Sequence, residues 1–168
     1  MRLTSPSYRN LTRLKVPNPD GIALIRPYSP TDAVAVMVIS KRSPEAAQWT
    51  AAGYEQALIA GQMVLVAEVE RQVCGFVVAR IIDREAEILN LAVEPLERER
   101  GVGSRLLMAV FAEAERHRVE RVFLEVRESN RAAIAFYGRF GFLKTGERKK
   151  YYKDPLENAV VMEKIITG

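Results

Sequence analysis

The chain has 168 residues, is 48% hydrophobic and 27% charged, and carries 25 Lys and Arg against 21 Asp and Glu. A chain of this length buries roughly 70% of its unfolded surface, enough for a core without covalent staples. The single Cys74 excludes a disulfide framework and fits a reducing compartment.

No apolar run approaches the roughly 18 residues of a membrane span. The N-terminus has bases but no apolar segment behind them and no small-residue cleavage site, so no secretory signal is expected and the compartment reads as cytoplasmic. The charge is unevenly placed. Residues 1–19 hold Arg2, Arg9, Arg13 and Lys15 and no acid, and the remainder has 21 bases against 21 acids. Residues 1–20 therefore read as a basic extension and 21–168 as one domain. A protein-wide nucleic-acid face is not implied.

Taken in chain order, Ile22 to Arg26 suggests a first strand. Ser29-Pro-Thr-Asp32 offers a helix start with proline and an acid in the first turn. Helices are predicted over about 31–41 and 45–60, separated by Ser43-Pro44. Met63–Val69, Val73–Ile82 and Glu87–Val93 read as three strands joined by short charged turns, an antiparallel meander. A helix from about Gly103 to His117 places Leu106, Leu107, Val110, Phe111 and Ala114 on one face.

Val122 to Val126 is a further strand. Ser129-Asn130 can cap a helix with Ala133, Phe136, Tyr137 and Phe140 in a stripe, and Gly141 ends it. Phe142–Tyr152 and Ala159–Ile166 are two last strands with a turn at Asp154-Pro155. The fold class is α/β: a mixed, mostly antiparallel twisted sheet of about six to seven strands flanked by about four helices.

The most specific local feature follows the third strand of the meander. Leu89-Asn-Leu-Ala-Val93 runs through Glu94-Pro95 into Arg98-Glu-Arg-Gly-Val-Gly-Ser-Arg-Leu-Leu107. Gly101 and Gly103 can adopt positive φ and let backbone amides approach a ligand. The first amides of a helix lack intrahelical partners, and its dipole favours an anion there. A P-loop would need Gly-Lys-Ser/Thr, yet Ser104-Arg105 follows Gly103. A Rossmann turn would need a third glycine where Leu106 stands. The glycines alone also fit a simple tight strand-to-helix connection.

Arg98-x-x-Gly101-x-Gly103 after Leu91-Ala-Val93 resembles the acetyl-coenzyme A signature of the GNAT superfamily of N-acetyltransferases. Downstream, Leu124-Glu-Val-Arg-Glu-Ser-Asn130, Ala132-Ala-Ile-Ala-Phe-Tyr137, Gly141-Phe142 and Arg148-x-x-Tyr151-Tyr152 resemble its ribosomal-protein-alanine N-acetyltransferase branch. The likeness is ungapped from about Leu91 to Tyr152 and extends more weakly over Gly21 to Ile166. It implies that the backbone of Leu91, Ala92 and Val93 holds the pantetheine arm of the cosubstrate acetyl-CoA. The segment Arg98, Glu99, Arg100, Gly101, Val102, Gly103 and Ser104 would hold the pyrophosphate, and Asn130 would touch coenzyme A. Arg98 stands where this branch commonly has glutamine and is expected to strengthen the phosphate contact.

Acetyl transfer to an α-amine of pKa near 7.7 to 8.0 needs a base, and the departing thiolate needs an acid. The resemblance makes Glu125 the base, directly or through water, and Tyr137 the acid. Glu125 sits in an otherwise apolar strand, a setting that suits a carboxylate to take a proton. It also fits a half-exposed strand-face carboxylate paired with an arginine such as Arg127. Tyr137 equally fits core packing and Asn130 a helix cap. Tyr151 and Tyr152 resemble a pair beside a peptide groove, and strand alternation predicts that only one faces it.

Trp49 and Cys74 read as packing residues and His117 as a helix-end residue. No metal-ligand spacing occurs. The implied acceptor is a protein N-terminus, first a ribosomal protein with N-terminal alanine, and attack is direct within a ternary complex. A small-molecule amine acceptor is the alternative. A ribosome- or RNA-binding module without chemistry is a second, resting on the arm and on Lys144, Arg148, Lys149, Lys150 and Lys153.

Overall fold

A computed structural model describes residues 22–166, so the basic extension lies outside the described residues. Its elements are β1 (Leu24–Pro27), α1 (Ala33–Lys41), α2 (Ala51–Ile59), β2 (Met63–Val69), β3 (Gln72–Ile82), β4 (Glu85–Val93), α3 (Val102–Arg116), β5 (Arg121–Arg127), α4 (Arg131–Arg139), β6 (Leu143–Lys153) and β7 (Leu156–Ile165). The seven strands form one sheet in the order β1-β2-β3-β4-β5-β7-β6. The pairs β1·β2, β2·β3, β5·β7 and β6·β7 are antiparallel, and β4 pairs with β5 in parallel over Glu85–Ile88. The expected mixed sheet and four helices are thus present among the described residues. None of these helices is long and apolar enough to cross a membrane.

The described residues group into two compact units, one of residues 22–80 with 90–112 and one of 81–89 with 113–166. In the first, β2 is buried from Met63 to Ala67, as its unbroken apolar run requires of a strand covered on both faces. Leu106, Leu107 and Val110 of α3 are fully buried, each contributing about 1.5 to 3 kcal/mol. The core of the second unit contains Val122, Leu124, Tyr137, Phe142, Ala159 and Met162.

The predicted helix over 45–60 is a correction. Helix α2 begins only at Ala51, where the Thr50 hydroxyl accepts the Gly53 amide. Residues before it are diverted by tertiary bonds. Asn90 of β4 accepts from the Ala47 N–H at 3.2 Å and donates to its carbonyl at 2.8 Å. The Gln48 amide donates to the carbonyls of Ser40, Ser43 and Ala46. Backbone groups engaged this way cannot close i to i−4 bonds.

Asp32 anchors the entry to α1. It accepts two bonds from the Arg26 guanidinium at 2.8 and 2.9 Å and one from the Ser29 amide at 2.8 Å, while Glu68 holds Arg26 from the other side. Burial works against its charge, but these bonds outweigh it and hold the carboxyl below the usual range. The stability this group contributes is present above the ordinary carboxylate pKa near 3.9 and is lost as pH falls through the lowered value. Asp32→Asn should cost about 2 kcal/mol at pH 7. The gap from wild type should narrow toward pH 3, as read by urea unfolding at both pH values.

Candidate active site

The chain leaves β4 through a short 3-10 turn, Pro95–Glu97, and an extended Arg98. Glu99 then takes φ +63 and Gly101 φ +81, and α3 starts at Val102. Gly103 lies inside α3, so of the two glycines only Gly101 uses positive φ; Glu99 supplies the second left-handed residue. The Arg105 amide bonds the Gly101 carbonyl at 3.0 Å. The preceding amides of Val102, Gly103 and Ser104 belong to the helix end that has no intrahelical acceptor. A Cβ built on Gly101 would meet nothing within 4 Å, so the turn faces open space. Free donors, a helix dipole and room in front of them fit a pyrophosphate.

Two residues outside the motif set this geometry. A Cβ on Gly75 of β3 would come within 3.1 Å of the Ala92 carbonyl oxygen, 3.2 Å of Val102 and 3.3 Å of Leu106. Any side chain here would make its neighbours give by a few tenths of an ångström, so glycine lets the start of α3 settle closely on the sheet, and a lone glycine inside a strand is the sequence signal for this. Asn90, buried on β4, ties the segment before α2 to the strand that ends in Leu91, Ala92 and Val93. A polar residue in an apolar strand was its signal.

Arg98, expected at the phosphate contact, has protein partners of its own. Its Nε donates to the Val93 carbonyl at 3.1 Å, and its Nη2 to the Ser43 hydroxyl at 2.8 Å and the Glu45 carboxylate at 3.0 Å. The guanidinium is engaged by protein, which makes Arg98 a brace between the turn and residues 43–45. Arg100, which pairs with Glu97 at 3.3 Å, has a side chain 68% exposed and remains a surface cation. Cys74 is buried, its thiol donates to the Ala67 carbonyl at 3.5 Å, and burial pushes its pKa up to about 11. It is a neutral packing residue at any physiological pH.

In the second unit β5 alternates: Val122, Leu124 and Val126 are buried, while Phe123, Glu125 and Arg127 share the other, half-buried face. Glu125 does not stand alone there. The Arg148 guanidinium of β6 pairs with its Oε1, and the Tyr151 hydroxyl hydrogen-bonds it, which raises the Tyr151 pKa. Arg127 is not its partner: that guanidinium pairs with Glu157 at 3.2 Å, donates to the Asp154 and Pro155 carbonyls, and lies 4.2 Å over the Tyr152 ring.

The alternation expected of Tyr151 and Tyr152 fails for a visible reason. The β6·β7 register shifts between Arg148 and Tyr152, and Lys150 takes φ +53 with its amide on Asn158 Oδ1 at 2.9 Å. This bulge brings consecutive tyrosines edge to face, with centroids 5.2 Å apart. Burial first, then the Glu125 charge, raises Tyr152 to about 12.

Tyr137 is buried on α4 against Phe136 and Phe142, with ring centroids at 5.1 and 5.5 Å. Burial pushes its phenol far above the ordinary value, so the proton stays on the oxygen. Asn130 caps α4 by accepting the Ala133 amide at 3.1 Å. Trp49 is half-buried rather than core, tilted on Tyr54 at 5.4 Å beside a cavity of about 480 Å³ lined also by Thr50, Gly53 and Gln56. His117 follows the end of α3, 3.9 Å from Glu113.

The mixed sheet and the left-handed turn between β4 and an amide-bearing helix define an α/β protein with an anion seat at the start of α3. Residues 33–142 match the acetyltransferase (GNAT) family, and the chain belongs to that family. The ribosomal protein bS18-alanine N-acetyltransferase of Escherichia coli strain K12 is 37% identical over 93 residues, 54% of this chain and 63% of that protein, a span a little under two thirds of its length. Among solved structures, Ard1 from Thermoplasma volcanium is 33% identical with a TM-score of 0.80, covering 88% of this chain and 99% of that one. The ribosomal-protein-S18-alanine N-acetyltransferase of Escherichia coli is 28% identical with a TM-score of 0.77, covering 88% and 96%.

If Arg98 braces the turn, Arg98→Ala and Glu45→Ala should both weaken coenzyme A binding, and the double variant should show a coupling of about 1 kcal/mol. Calorimetric titration of all three variants reads this, and additive losses would return Arg98 to direct phosphate contact. Cys74 should resist alkylation by iodoacetamide at pH 8 in the folded protein and react once urea unfolds it, as followed by intact mass.

Proposed function

We propose that the protein is an acetyl-coenzyme A dependent N-acetyltransferase that modifies the α-amine of a protein N-terminus, first of all a ribosomal protein with N-terminal alanine, in the cytoplasm. The observation that carries this reading is the Glu125 cluster: a carboxylate on the open face of β5 held by Arg148 and Tyr151, in a family whose members transfer acetyl groups. The named activity of the Escherichia coli relative supports the choice of acceptor.

In this reading the amides of Glu99 to Ser104 hold the pyrophosphate, and the backbone of Leu91, Ala92 and Val93 orients the pantetheine arm. Acetyl-coenzyme A supplies an acyl group activated as a thioester. An α-amine of pKa near 7.7 to 8.0 is mostly protonated at neutral pH. Glu125 takes a proton from it, directly or through water, and passes that proton to solvent; the freed nitrogen lone pair attacks the acyl carbon, the nitrogen sheds its second proton to Glu125 as the amide forms, and Glu125 returns this one to solvent as well. Arg148 and Tyr151 fix the carboxylate that does this, which lowers the orientational cost. The carbon–sulfur bond breaks, and the Tyr137 phenol, still protonated because it is buried, is assigned the proton that the thiolate takes up. The resulting phenolate regains its proton from solvent before the next cycle. Asn130 serves as helix cap and as a coenzyme A contact. With its thiol neutral and buried, Cys74 has no part, which favours direct attack over an acyl-enzyme.

Glu125→Gln should lower kcat about 100-fold with coenzyme A affinity retained. Tyr137→Phe should slow turnover by about tenfold with little change in that affinity. Steady-state rates with an Ala-initiated peptide, alongside a panel of free amines, check both; an unaltered rate in either variant removes that residue from the chemistry, and acetylation confined to the free amines removes the protein acceptor.

A further inference from the structure

Three guanidiniums share the face of the sheet that carries Glu125. Arg121 and Arg127 lie on that face of β5, and Ala159 of β7 stands opposite both Arg127 and Arg148, which puts Arg148 on the same side one row beyond Glu125. The first two are committed to protein. Arg121 bridges Glu85 and Glu163, and Arg127 binds Glu157, the Asp154 and Pro155 carbonyls and the face of Tyr152. Three further bases of β6 turn away: Lys144 is opposite Met162, Lys153 is opposite Leu156, and Lys149 follows Arg148.

Arg148 differs in what it leaves free. Its Nε meets Glu125 Oε1, and its guanidinium lies 5.8 Å from the centre of the Tyr151 ring. Among the described residues neither Nη has a hydrogen-bond partner, although a guanidinium carries its N–H donors in a fixed fork. The Arg148 side chain is 59% exposed and that of Glu125 only 12%, so the free part of the fork is open to a ligand beside a carboxylate that is mostly covered.

The carboxylate has capacity to spare. Ionised, it offers about four acceptor sites, and Arg148 and the Tyr151 hydroxyl use only part of them. An amine that binds a remaining site is held next to the guanidinium. In an N-terminal residue the α-nitrogen and the first carbonyl oxygen are three bonds apart, about 3 Å. The contact that brings the amine to Glu125 therefore carries that oxygen toward the free donors of Arg148. A lysine side chain or a polyamine has methylene groups in that place and nothing for the donors to bind.

We infer that Arg148 is a specificity residue that binds the first carbonyl of the acceptor, so that an amine with an adjacent carbonyl, as at a peptide N-terminus, is preferred over a simple alkylamine. This rests on the proposed transfer to a protein N-terminus. The planar fork of arginine addresses two oxygens at once, the Glu125 carboxylate and the carbonyl, whereas a lysine ammonium is a compact point charge. Loss of a hydrogen bond from a charged donor is an effect of about 10- to 100-fold.

The test uses an Ala-initiated peptide and an analogue in which a trans carbon–carbon double bond replaces the first peptide bond, which keeps the shape and removes the carbonyl oxygen. Steady-state kcat/KM is measured for both in wild type, Arg148→Ala and Arg148→Lys. Wild type should favour the peptide, and the ratio of the two values should fall by about tenfold or more in both variants. Other effects of the double bond, the basicity of the amine among them, act in every enzyme and cancel in that comparison. A change in how Glu125 is held alters both rates and leaves the ratio as it was. An unchanged ratio in Arg148→Ala, whether the two rates fall together or rise together, overturns the inference and leaves Arg148 only as the partner of Glu125. A wild-type ratio in Arg148→Lys overturns it as well, since charge without the fork then suffices. If wild type acetylates a simple alkylamine and not the peptide, the acceptor reading itself falls, and the inference with it.

Discussion

Arg98 stands where the chain has just left β4, and its guanidinium reaches the Val93 carbonyl five residues back and Ser43 and Glu45 more than fifty residues back. The turn that follows it has two left-handed residues, Glu99 and Gly101, and a non-glycine residue in that region is costly by about 1 kcal/mol or more. Local preference alone does not hold such a loop. The brace at Arg98, the buried anchor Val102 and the close approach allowed by Gly75 together keep the amides of α3 open to an anion. Arg98 thus turns its guanidinium toward protein oxygens and ties the turn to residues 43–45.

The second unit solves a different problem, that of holding a largely buried carboxylate without leaving it alone. An isolated charge taken out of water is expensive, and the usual outcome is either neutralisation or a partner. Here the partners come from β6, two strands away in the sheet order, through Arg148 and Tyr151. The bulge at Lys150 makes that possible. On a regular strand Arg148 and Tyr151, three residues apart, would face opposite sides, and Glu125 would gain one neighbour where it now has two. Arg127, cross-linking Glu157, the hairpin carbonyls and the Tyr152 ring, holds the bulged end in place.

Both sites therefore depend on small departures from regular structure paired with a distant arginine. The departures differ in origin. At the turn, glycine makes the left-handed step cheap and the brace supplies the rest. At the bulge, a lysine adopts positive φ because its amide is taken by Asn158, whose own amide is shared between Glu128 and Glu147. Tyr137 contributes by burial alone: with its ring wedged between Phe136 and Phe142, its phenol keeps its proton.

By itself the sequence determined the order of elements, the apolar faces of α3 and β2, the cap at Asn130 and the glycine turn, because each follows from periodicity or from the steric demands of glycine and proline within a dozen residues. Glu125 and Tyr137 stand out in the sequence by their motif, and the structure puts the first on the half-buried face of β5 and buries the second on α4. The tertiary structure alone decided that residues 45–50 are not helical, that Arg98 binds Ser43 and Glu45, that Arg148 rather than Arg127 faces Glu125, and that both tyrosines of the pair gather at one place. Each of these is a contact between residues far apart in the chain or a register shift of a single residue, and neither leaves a mark on local composition. Physical reach across the sheet, not spacing along the sequence, chooses which arginine meets which carboxylate.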